Sequence, residues 1–177
     1  MTQANGHSDT PLIDRSDIIH ELAGIDPGSP LHQLRSQRPD VARYAQGSYL
    51  ALLEPEDPAG VSRVERESIA LRVALLSSNA ALAGHHRARL RQLGATETLA
   101  AIEQFPAGPA LPDRLAAILR HIDLLTLDPA GASRQAIEAL RANGLGARDI
   151  VTISQLIAFL SFQVRVLAGL RLFAEET

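Results

Sequence analysis

Between Ser62 and Leu93 the chain reads S-R-V-E-R-E-S-I-A-L-R-V-A-L-L-S-S-N-A-A-L-A-G-H-H-R-A-R-L-R-Q-L, with apolar residues at helical spacing on both sides of a polar break. Ser62 and Glu65 form an S-x-x-E capping box, which opens the first helix. Its body, Ile69 to Leu76, is apolar almost all round, so it predicts a helix buried on most sides. Ser77, Ser78 and Asn79 then arrive together, and all three types satisfy free N–H groups at a helix start. A second helix is predicted from there to about Leu93, with Gly94 suited to the position past its end.

The same periodicity organises the rest. Residues Met1 to Leu12 are polar and predict a frayed arm. Asp14 to Leu22 predicts a short helix, Gly24 to Ser29 a turn, and Ser29-Pro30 a cap with proline at the first position of a helix to Ser36. Pro39 opens a longer helix to about Leu53, with Val41, Tyr44, Ala45, Tyr49 and Leu52 expected inward. Ala95 to Glu103 is a short helix and Phe105 to Leu111 a loop. Pro112 to Leu125 is a helix with Leu115, Ile118, Leu119, Ile122 and Leu125 on one face and His121 at its boundary. Asp128 to Gly131 is a turn, Ser133 to Ala142 a helix ended by Asn143-Gly144. The last helix, Ala147 to about Phe173, carries the stripe Ile150, Ile153, Ile157, Leu160, Val164 and Leu167, broadened by Leu156, Phe159 and Phe162. Its apolar character on more than one face suggests burial between neighbours or against another subunit. Period-two alternation is absent, so the fold class is all-α, a compact helical bundle.

Composition narrows the chemistry. The 177 residues suit one domain, and at 46% hydrophobic but 3% aromatic the core must be built from Leu, Ala, Ile and Val. There is no lysine, which rules out Schiff-base chemistry, and no cysteine, which rules out disulfides and thiolate ligands. A net charge of −3 gives no general attraction to nucleic acid or to an anionic membrane. No secretory pattern opens the chain, and no apolar run is read as long and clean enough to span a bilayer. A soluble cytoplasmic protein is the expectation.

Two ionisable residues break the apolar stripes. Glu67 lies between Val64 and Leu71, and His86 lies on the stripe Asn79, Leu82, Ala83, His86, Leu90, while His85 points towards Arg89 and solvent. A buried carboxylate and a buried imidazole are each costly unless paired, so they are expected to meet a partner, each other included. Other constellations carry less. Adjacent His85 and His86 diverge by about 100° on a helix and rarely share a metal, so no metal site is expected. Ser77 or Ser78 with His86 and Glu67 has the residue types of a hydrolytic triad but lacks a nucleophile elbow. Arg87, Arg89 and Arg91 form a basic patch expected to pair with carboxylates at a subunit contact. No phosphate-cradling motif is present, and no cofactor is expected.

The Ser62–Leu93 segment resembles the carboxymuconolactone decarboxylase and alkylhydroperoxidase-D superfamily, whose redox branch carries E-x(11)-C-x-x-C-x-x-x-H. Glu67 and His86 stand at the family glutamate and histidine, R-x-E-R-E-S-I-A-L around Glu67 is typical, and Phe162, Gln163 and Arg165 resemble the F-N-x-x-R-type ending of the peroxidase-related branch. The two cysteine positions fall on Asn79 and Leu82. The resemblance implies an alkylhydroperoxidase-D-like domain over 39–177, an N-terminal extension of short helices over 1–38, and a homo-oligomer, a dimer or a trimer of dimers. It also implies an oxidoreductase of the peroxidase type, but Asn79 and Leu82 form neither a thiolate nor a sulfenic acid, so dithiol chemistry by this chain alone is excluded.

Two functions follow as expectations. In the first, Glu67 and His86 do acid–base work on a small organic substrate, as the decarboxylase branch implies, with Asn79, Leu82, His85 and Arg165 as substrate-binding residues. In the second, the chain is an inactive binding or structural homologue whose Glu67–His86 contact survives in the core. A cysteine-bearing paralogue could supply the missing thiols. Side chains touching in a sealed core favour the structural reading; an open pocket shared with Asn79 favours the enzyme.

Overall fold

The computed structural model describes residues 17–175; the expected polar arm and the start of the first helix at Asp14 lie outside them. The helices in chain order are α1 (Ile18–Ala23), α2 (Pro30–Ser36), α3 (Pro39–Leu53), α4 (Arg63–Leu76), α5 (Ala80–Gln92), α6 (Thr96–Glu103), α7 (Asp113–Leu127), α8 (Arg134–Ala142) and α9 (Ala147–Glu175), with a 3-10 turn at Pro129–Gly131. No strand occurs among the described residues.

Short polar side chains set these starts. The oxygens of Ser29, Ser62, Asn79 and Ser133 each accept a first-turn N–H of the helix that follows. Ser62 and Glu65 close the full capping box. Gly24, Gly94 and Gly144 take positive φ just past helix ends, where a side chain would be strained.

Helix α4 is the axis. Every residue from Arg66 to Ala74 is buried, and the helix touches α3, α5, α6, α7 and α9. Ile69, Leu71 and Val73 lose all exposure, and burying each such side chain stabilises the fold by roughly 1.5–3 kcal/mol. Two arginines within this apolar helix were not legible as core residues. Arg72 makes a two-pronged bond to Asp123 of α7, both contacts at 2.7 Å, and donates to the Phe105 carbonyl at 3.1 Å. Arg66 donates to the carbonyls of Leu52, Pro58 and Val61, tying down the loop from α3 to α4.

The predicted inner faces hold with four corrections. Val41 and Tyr44 are exposed, at 47% and 64%; α3 instead buries Ala45, Gln46, Tyr49 and Leu53. Among the described residues α3 packs on α2, α4 and α9, and none of them covers the flank that carries Val41 and Tyr44. Phe162 is also exposed on α9. His121, expected at a boundary, is buried because α8 folds back over α7. Finally, α9 has the length and composition to cross a bilayer, with a mean hydropathy of 1.7 over its most apolar stretch, contrary to the expectation from sequence. Its buried stripe, Ile150, Ile153, Leu156, Ile157, Leu160, Gln163 and Leu167, packs against the rest of the bundle.

Candidate functional site

Helices α4 and α5 are antiparallel neighbours joined by a three-residue turn. Ser78 takes a left-handed φ of 51°, and the N–H groups of Ser77, Ser78 and Asn79 donate back to the carbonyls of Val73, Leu75 and Ala74. This tight reversal sets Glu67 on α4 beside His86 on α5. His86 Nδ1 lies 2.7 Å from Glu67 Oε2, and the two residues are 0% and 1% exposed. The other ring nitrogen, Nε2, is buried and has no hydrogen-bond partner among the described residues.

The other oxygen of Glu67 accepts from Arg89 Nε at 3.3 Å, and Arg89 Nη2 lies 2.8 Å from Glu54 at the end of α3. Arg89 therefore carries the buried charge outward to a half-exposed carboxylate. Two arginines of the α5 patch pair with carboxylates of their own chain, Arg87 with Glu103 and Arg89 with Glu54 and Glu67.

His85 corrects its expectation. It turns inward, Nε2 lying 2.8 Å from the hydroxyl of Tyr49, and its ring meets that of His86 edge to face at 5.0 Å between centroids. Burial first, then the neighbouring His86, pushes the His85 pKa down to about 4. Burial and the charge of Glu67 push the Tyr49 phenol above its ordinary range. A phenol and a neutral imidazole each offer one donor and one acceptor, so the tautomer of His85 sets which of Tyr49 and His85 donates in this bond.

The remaining candidates divide. Asn79 spends its side-chain oxygen on the N–H of Leu82, at 3.0 Å, so that atom caps α5. Leu82 is fully buried in the apolar core beside it. Arg165 is exposed on α9 and donates to the Ser161 carbonyl of its own helix; it does not join the Glu67 network. Tyr49, Glu54 and Arg89 complete the network and were not read as site residues. The available signal was that Tyr49 lies on the inner stripe of α3 and Arg89 one turn beyond His85. Among the described residues no three His, Asp or Glu side chains converge as a metal site would need.

No family model matches the sequence, and no curated protein matches it. Solved structures do. An uncharacterized peroxidase-related protein from Silicibacter sp. TM1040 is 24% identical with a TM-score of 0.67, over 87% of this chain and 79% of its own. A second, described as an alkylhydroperoxidase AhpD core and an uncharacterized peroxidase-related protein from Ralstonia eutropha JMP134, is 22% identical with a TM-score of 0.64, over 86% of this chain and 78% of its own. The chain has the all-helical alkylhydroperoxidase-D-like fold, with no cysteine anywhere in its sequence.

Proposed function

We propose that this chain is a thiol-free relative of the peroxidase-related proteins in which the Glu67–His86 pair serves the folded core, not catalysis. One observation carries the reading: the two side chains meet at 2.7 Å with neither accessible from outside the chain. The surroundings support it. Asn79 and Leu82, at the positions where the redox branch has its sulfurs, act as helix cap and core filler, and Arg89 neutralises the carboxylate. Breaking a buried pair by removing one partner costs about 3–5 kcal/mol, whereas exchanging both for apolar residues of similar volume is close to neutral. His86→Leu is therefore expected to lower the free energy of unfolding by about 3 kcal/mol, and Glu67→Met with His86→Leu to recover most of it. Urea denaturation of the three proteins measures this.

A second reading rests on a different atom. His86 Nε2 is buried and unpartnered, and an imidazole anchored at one nitrogen and free at the other has the form of a general base. This reading makes the chain an acid–base enzyme for small carboxylic acids, reached when the helices part. Turnover of such an acid that disappears in His86→Leu while the melting temperature stays put would replace the structural reading with this one.

A further inference from the structure

Helix α1 is six residues long, too short to hold itself in water, so its place depends on what it touches. It packs on α5 and α9 and sinks Ile18 and Ile19 into the core. Two polar tethers hold its start. Gln46 of α3 accepts the N–H of Ile18 at 3.0 Å, and Arg35 of α2 bonds the carboxylate of Asp17, the residue that caps α1. Gln46 lies one turn before Tyr49, the partner of His85, on the same buried flank of α3. Burial, Glu67 and Glu54 raise the Tyr49 phenol most, and Glu21 of α1 adds to them, which sets α1 within reach of that ring. Helix α1 therefore sits against the Tyr49–His85 end of the network.

A buried nitrogen stands unanswered at the tethers. His20 Nε2 lies 3.9 Å from Asp17 Oδ2 and has no hydrogen-bond partner. Both oxygens of Asp17 are already spent: Oδ1 accepts the N–H of Ile19 at 2.9 Å, and Oδ2 accepts from Arg35. The ring of His32, on α2, stands 5.6 Å from that of His20 between centroids. Asp17, Arg35 and His32 are the charged or titratable groups that act on His20 among the described residues; α5 and α9 supply none. At neutral pH one carboxylate meets one guanidinium. Protonating the two histidines sets three cations around that carboxylate, and His20 can be paired only by taking Oδ2 from Arg35.

We propose that α1 is an acid-released plug on the Tyr49–His85 flank, seated while His20 is neutral and freed when His20 takes up a proton. Burial holds the His20 pKa below its ordinary 6.5, against the pull of Asp17. The freed helix therefore binds the proton more tightly than the seated one. The seat is firm above pH 6.5 and weakens as the pH falls below it. The proposal holds whether the Glu67–His86 pair serves the core or catalysis.

Hydrogen exchange of the full chain, read by peptide mass spectrometry at pH 7.5 and pH 5 and corrected for the intrinsic rate, tests it. The amides of α1 are expected to lose protection roughly tenfold at pH 5 while those of α4 keep theirs. His20→Gln should remove this response, and His85→Gln should leave it. Arg35→Gln with Gln46→Ala cuts both tethers and should free α1 already at pH 7.5. Diethyl pyrocarbonate should then acylate His85 about tenfold faster, with His121, beneath α8, unchanged. Equal protection of α1 at both pH values, a response that survives His20→Gln, tether cuts that leave α1 protected, or a freed α1 that leaves His85 no more reactive would overturn the proposal.

Discussion

Tyr49 and His85 share one hydrogen bond, and it gives the protein an acid-sensitive point. The unfolded imidazole takes its proton near pH 6.5, and the folded one only near pH 4. Between those values unfolding takes up a proton, so stability falls as the pH drops through that window and levels off below it. The side chain is partly solvated, so His85 contributes about 1–2 kcal/mol, less than the full linkage value. His20 and His121, also depressed by burial, act in the same direction. Thermal melts at pH 7 and pH 4.5 should therefore differ, and His85→Gln should shrink the difference. A pH dependence unchanged by that substitution would mean that His85 is not the group responsible.

Helix α4 shows how one element is pinned at both ends. Its start depends on the Ser62–Glu65 box, and Ser62→Ala should cost about 1 kcal/mol in urea denaturation. Its first buried residue, Arg66, is a staple: a planar fork meets the carbonyls of Leu52 in the last turn of α3 and of Pro58 and Val61 in the loop that follows. Lysine carries the charge but not the fork. Arg66→Lys should destabilise by roughly 1–2 kcal/mol, because one ammonium cannot meet all three carbonyls and the contact to Val61 is buried. A loss below that of Ser62→Ala would show that water replaces the missing donors.

At the scale of the molecule the open question is the outer face of α9. Val151, Ala158, Phe162 and Leu172 recur along one exposed side of this helix, while its opposite side fills the core. Gln155 and Arg165 share that side, and we propose that a second copy covers its apolar part while the bundle covers the opposite side. Assembly through this face is expected in sedimentation experiments, and Phe162→Lys with Val151→Lys should shift the protein to a smaller species without lowering its helix content. A protein that sediments as a monomer before any substitution would remove the expectation.

The elements themselves were written locally. Ser29, Ser62, Asn79 and Ser133 announced their helices because a cap is satisfied within three residues, and the periodicity of α4 and α5 put Glu67 and His86 on inner faces before any neighbour was known. That each would need a partner followed from the same signals; that the partner is the other, across the Ser77–Asn79 turn, came from the structure. What periodicity could not supply was which neighbour arrives on which flank. Tyr44 and Val41 stayed outside because no helix among the described residues covers that flank of α3; His85 turned inward because Tyr49, 36 residues earlier, offered a hydroxyl. Arg72 found Asp123 across 51 residues, and α8 sealed His121 beneath it. Caps and stripes are encoded in a few consecutive side chains, so the sequence alone determined them. Pairing across the bundle depends on the simultaneous placement of distant helices, and only the tertiary structure decides that.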